Sequence, residues 1–127
     1  MTQSNDFSGA WKSVHWYPTK NDDAEESSVY QMVAHQTGHD IVFQSQPTDD
    51  GSYMLIRLSV DGDVATGTWY ENTSPGGDFA ETMYSGAGQL IISKDKRSMK
   101  GLWAGAGMDH KTNQPRVYTG RWELEKA

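Results

Sequence analysis

Residues 53–72 read YMLIRLSVDGDVATGTWYEN, and the architecture is worked out from them. Tyr53 to Val60 (YMLIRLSV) is dense in β-branched and large apolar residues, the composition of a strand. Asp61-Gly62 is the strongest short hairpin signal in the chain, because a two-residue turn needs backbone conformations that Asp and Gly tolerate. Asp63 to Asn72 then forms the return strand. The segment is therefore a β-hairpin, with Trp69 and Glu71 two residues apart on one face.

The same reading extends outward in both directions. Upstream, Phe7 to Tyr17, Val29 to Gln36 and Ile41 to Gln46 are strands. Val29 to Gln36 (VYQMVAHQ) fits either a helical face or a strand face made of Tyr30, Met32 and Ala34. Its shortness and the Thr37-Gly38 turn that follows favour the strand. Pro18 to Ser28 is a polar, acidic loop and Pro47 to Gly51 (PTDDG) a turn. Downstream, Thr73 to Asp78 is a loop. Phe79 to Ser93 is extended, with a bend or bulge expected at Gly86-Ala87-Gly88. Ser98 to Gly107 and Arg116 to Glu123 complete the strands, with a loop from Met108 to Pro115. About eight strands joined by short turns predict an all-β, mostly up-and-down antiparallel barrel, since closure removes sheet edges and eight strands hold one small ligand. Residues 1–6 are expected to be a flexible N-terminus and residues 7–127 a single domain.

Composition narrows the function classes. The 127 residues carry 11 Lys+Arg against 17 Asp+Glu, a net charge of −6, which argues against general nucleic-acid binding. No apolar run approaches the roughly 20 residues needed to cross a bilayer as a helix, so no membrane insertion is expected. The start lacks the pattern of a secretory signal, and a cytoplasmic location follows as the expectation. Zero cysteines exclude disulfides, thiolate chemistry and Cys-based metal sites. His35 and His39 have metal-face spacing only on a helix, so no metal and no cofactor are expected. The paired carboxylates at Asp22-Asp23, Glu25-Glu26 and Asp49-Asp50 fall in polar loops and suit solvated charge better than acid–base catalysis.

The motif Gly-x-Trp occurs four times, at Gly9-Ala10-Trp11, Gly67-Thr68-Trp69, Gly101-Leu102-Trp103 and Gly120-Arg121-Trp122. Residues two apart share a strand face, so each glycine opens space beside an indole. Indoles near an open end would form a stacking platform for a flat ligand. Polar residues inside the apolar strands complete the candidate site. Glu71, Tyr84 and Gln89 are the candidate hydrogen-bonding groups, Trp11, Trp69 and Trp103 the stacking surface. Arg57 or Lys12 would meet phosphate if the ligand is a nucleotide.

The segments GTWYENTSP, MYSGAGQLII, RSMKGLWAGAG and TGRWEL, between Gly67 and Leu124, resemble the C-terminal β-rich region of actinobacterial helix-turn-helix regulators. That resemblance implies a bacterial ligand- or signal-sensing module. The sequence contains no helix-turn-helix, so the implied role is that of a freestanding sensor or binding domain. More distantly, the Gly-x-Trp start and the β-meander look like calycins and like the small barrel sensor domain of cyclic-oligonucleotide effectors. The leading expectation is non-catalytic binding of a small planar or nucleotide-like molecule. The alternatives are a protein-interaction module docking a partner (or a second copy) on its strands or its 18–28 loop, and a small isomerase- or cyclase-type enzyme using Tyr84 and Glu71.

Overall fold

In the computed structural model, residues 6–18, 24–46, 48, 51–72, 83–109 and 111–127 are described. Eight strands run in chain order: β1 (Gly9–Pro18), β2 (Glu25–Thr37), β3 (Asp40–Ser45), β4 (Tyr53–Asp61), β5 (Val64–Asn72), β6 (Met83–Ile92), β7 (Ser98–Asp109) and β8 (Gln114–Lys126). Each pairs antiparallel with the next, and β8 pairs back onto β1 to close the barrel. The expected eight-strand up-and-down barrel is the observed one.

Alternation explains the core. Apolar residues recur every second position, as in Met54, Ile56 and Leu58 on β4, and these point inward. A hairpin forms between β4 and β5, but Asp61 pairs with Val64, so the two-residue loop is Gly62-Asp63, one position later than the expected Asp61-Gly62, and Gly62 at φ 61° supplies its positive-φ position. Its register places Ile56 opposite Trp69 and Met54 opposite Glu71.

Several strand limits differ from the sequence reading; β1 starts at Gly9 rather than Phe7, and β8 runs to Lys126 rather than Glu123. β2 begins at Glu25, so Glu25 to Ser28 are strand rather than loop. Their ladder with β1 simply continues, pairing Pro18 with Glu25 and Trp16 with Ser27, and the glutamates at the rim stay in water. β7 and β8 likewise pair out to Asp109 and Gln114, shortening the loop expected from Met108 to Pro115. At Gly86-Ala87-Gly88 the strand continues without interruption, in register with β5 and β7. The readings at Asp22-Asp23, Asp49-Asp50, Thr73–Asp78 and the start of the Phe79 segment lie outside the described residues, as does the N-terminus before Asp6.

The glycines serve close packing. An added Cβ at Gly67 would collide with the Arg57 carbonyl, and one at Gly101 with the Gln89 carbonyl. Other glycines lie beneath indoles of strands one or two places away in the barrel. A Cβ at Gly105 would sit 2.6 Å from the Trp69 ring, one at Gly88 2.5 Å from Trp122, and one at Gly120 2.7 Å from Trp103. Glycine and tryptophan are thus complementary volumes across strands, which keeps the interior dense.

The β1–β8 seam is short. Its ladder joins Trp11–His15 to Trp122–Lys126, although β8 begins at Gln114. Antiparallel residues alternate which neighbour their N–H and C=O address. The bond from Ala127 N to Ala10 O sets even β1 residues toward β8, and the bond from Lys126 N to Arg97 O sets odd β8 residues toward β1. Pro18 and Pro115 therefore face the seam beyond its ladder. Among the described residues no strand partner there requires the N–H that proline lacks, which suits both prolines to their places within strands.

The two ends of the interior differ. One end carries the β2–β3, β4–β5 and β6–β7 turns and the entering N-terminal segment. There Phe7, Trp11, Ile41, Phe43, Leu90 and Leu124 are all but fully buried. Phe7 acts as a plug. Its N–H donates to Gln36 Oε1 at 2.7 Å and its carbonyl accepts from Trp11 Nε1 at 2.7 Å. The opposite end is polar and aromatic.

Candidate functional site

β1 delivers the first residues of this polar end. Trp11, Ser13, His15 and Tyr17 share the inner face by alternation, running from the plugged end upward. β5 delivers Trp69 and Glu71 to the same level from the other side, and β2 delivers Tyr30. Ser13, His15 and Glu71 are the buried polar side chains among the described residues.

These groups form one cluster. Tyr30 OH donates to Glu71 Oε2 at 2.7 Å, across 41 residues of sequence. His15 Nε2 lies 3.6 Å from Glu71 Oε1. The His15 ring stacks nearly parallel to Tyr30 with centroids 6.5 Å apart, and meets Trp103 edge-on at 6.3 Å and Tyr17 at 5.8 Å. Trp103 in turn meets Trp69 edge-on at 5.8 Å. Burial, reinforced by the charge of Glu71 and the hydrogen bond to it, pushes the Tyr30 phenol well above its ordinary range. Tyr30 is therefore a fixed donor to the carboxylate.

The two indoles direct their N–H groups into the wall. Trp69 Nε1 donates to Ala87 O at 3.1 Å, and Trp103 Nε1 reaches across the seam to Trp16 O at 2.8 Å. What they present to the interior is aromatic carbon. His15 Nδ1 is fully enclosed and has no hydrogen-bond partner among the described residues. An imidazole nitrogen left in that state is costly, roughly 1–3 kcal/mol, and least so when it carries no proton.

An open cleft of about 340 Å³ borders the cluster on the seam side. Tyr17, Pro18, Glu25, Arg116, Tyr118 and Thr119 line it, and Tyr17 is shared with the His15 contact. Arg116 is held at the rim, 3.1 Å from Asp109 Oδ2 and with its guanidinium 4.5 Å from the Tyr118 ring centre.

The structure brings together Trp69, Glu71, Tyr84 and Trp103 of the sequence-based candidates, with Tyr84 directly opposite Glu71 in the β5–β6 ladder. Others stand apart. Trp11 is fully buried at the plugged end, edge-on to Phe43 at 5.6 Å. Arg57 and Lys12 face outward and are exposed. Gln89 also faces outward, where its Nε2 donates to Thr66 Oγ1 at 3.0 Å. Sequence reasoning passed over His15 and Tyr30. Counting by twos from Trp11 reaches His15, and Tyr30 heads the Tyr30-Met32-Ala34 strand face, so the signal for both was present. Among the described residues no group of three or more His, Cys, Asp or Glu is placed to hold a metal ion. Among the described residues no helix is long and apolar enough to cross a membrane.

No protein-family description matches the chain, and neither the curated proteins nor the solved structures yield a significant match, so the site's own geometry carries the functional argument.

Proposed function

We propose that the protein binds a small, partly planar molecule, without catalysis, at the polar end of the barrel. The observation that carries this reading is the buried Glu71 carboxylate set among Trp69, Trp103, Tyr30 and His15. A barrel needs no carboxylate in its interior for stability. Burying one is expensive unless it is paired and hydrogen-bonded, and apolar replacements commonly serve a core as well or better. Aromatic walls with a few convergent polar groups are the usual make-up of a small-molecule site. Both indoles are 8 % exposed and Glu71 is 8 % exposed, in contrast to Trp11 and Trp122 at 0 %. The cluster touches solvent where the deeper core does not.

The test is tryptophan fluorescence during titration with nucleotides, cyclic dinucleotides, fatty acids, haem and small organic cations. Saturable quenching by one class is expected. Glu71→Gln keeps an oxygen acceptor for Tyr30 OH and removes the charge. It should leave the melting temperature within a few degrees and weaken binding at least tenfold, about 1.4 kcal/mol. Silence across the panel from folded protein would overturn the reading.

A further inference from the structure

Charge and donor placement at the polar end narrow the ligand's chemistry. Glu71 is the buried charged group among the described residues, and no lysine or arginine is buried with it. Arg57 and Lys12 are on the outer face, and Arg116 is held at the rim by Asp109. Around the carboxylate stand the phenols of Tyr30 and Tyr84, the His15 imidazole and the Trp69 indole, with Trp103 against His15 and Trp69. None of them is a permanent cation.

His15 engages Glu71 loosely: its Nδ1 is an enclosed atom with no hydrogen-bond partner among the described residues, and its Nε2 stands 3.6 Å from Glu71 Oε1, beyond good hydrogen-bond distance.

Three donors that an anionic ligand could use are committed elsewhere. Tyr30 OH is on Glu71, Trp69 N–H on Ala87 O and Trp103 N–H on Trp16 O. The remaining offer is a negative charge beside aromatic rings. Ring faces attract cations through their quadrupole, most strongly when both partners are desolvated. The chain uses that chemistry on its outer surface, where the Arg121 guanidinium lies 4.2 Å from the Trp16 ring centre.

On the reading that the polar end holds a small ligand, we propose that this ligand is an organic cation of the alkylammonium class. Glu71 is its counter-ion, Trp69 and Trp103 supply the aromatic wall, and Tyr30 holds the carboxylate in place. Full burial of a quaternary ammonium removes it from water, and the carboxylate compensates for that loss in a way no neutral group here can.

The experiment compares choline with 3,3-dimethylbutan-1-ol, which has the same shape without the charge, by tryptophan fluorescence on the full chain. Choline should quench saturably, and the neutral alcohol should bind at least roughly tenfold more weakly. Glu71→Gln should erase the difference between the two. If that variant does not fold, the wild-type comparison decides alone. Equal binding of the two probes would overturn the cation assignment and leave a small-ligand site standing. So would silence to choline with saturable quenching by a neutral planar compound such as adenine. Silence to every probe would overturn both. A nitrogen NMR spectrum showing His15 protonated on both nitrogens at neutral pH would also overturn the cation assignment, because the cluster would then neutralise itself.

Discussion

Trp11 and Trp69 arise from the same motif, Gly-x-Trp, and both point into the barrel, yet they sit in opposite surroundings. Trp11 lies against Phe7 and Phe43 at the plugged end, and its N–H fixes the backbone of the entering segment. Trp69 lies over Gly105, edge-on to Trp103 and two residues from the buried Glu71. A motif repeated on one face specifies direction. The register between strands specifies height, and height separates a structural indole from one that lines a site. The plugged end is stabilised chiefly by apolar burial. The polar end keeps a carboxylate whose burial opposes stability and therefore asks for another purpose.

That contrast breaks most easily by truncation. Trp11→Ala should cost about 3–5 kcal/mol, the range for a fully buried large aromatic. Trp69→Ala should cost clearly less, because its surroundings meet solvent. Denaturant unfolding of the two variants checks this, and equal losses would remove the distinction between the ends. Backbone proximity offers a second test, with a smaller effect. Gly67→Ala drives a Cβ into the Arg57 carbonyl and should cost up to about 3 kcal/mol, the upper end for overpacking. Gly107→Ala meets only the Tyr118 ring at 3.3 Å, which can turn aside, and should cost well under about 1 kcal/mol.

Tyr30 gives the third test. Tyr30→Phe should lose about 1–2 kcal/mol at neutral pH, from the missing hydrogen bond to Glu71. Its pH dependence sharpens the point. Burial, then the Glu71 charge, keeps the native phenol protonated above the usual tyrosine value of about 10. The unfolded chain releases that proton near pH 10, so above it the unfolded state binds fewer protons and native stability falls as pH rises. Tyr30→Phe should flatten this fall relative to wild type. An unchanged slope would mean that Tyr30 is not held by Glu71 in solution.

Much of the barrel was legible because its signals are local. Asp61-Gly62 marks its hairpin to within one residue, and alternation in YMLIRLSV names its inner face. The Gly86-Ala87-Gly88 segment misled because glycines in a strand usually signal distortion. Here they leave room for indoles on other strands, a relation no local window contains. Part of the site was legible for the same reason: Trp69 and Glu71 follow from one strand's alternation. Alternation within 53–60 also sets Arg57 against Ile56 and Leu58, so its outward position was available. Gln89 falls on the outer face once Leu90 is placed inside. The joining of Tyr30 to Glu71, and the separation of Trp11 from Trp69, depend on pairing across the sheet, and composition carries no record of it.

The central claim is that the polar end receives a ligand while the plugged end is structural. The most direct measurement follows the five tryptophan indole N–H signals by proton–nitrogen NMR during titration with the compound that quenches fluorescence. The account predicts that Trp69 and Trp103 shift saturably, while Trp11 and Trp122 stay in place. Shifts centred on Trp11, or binding that moves no inward-facing indole, would contradict it.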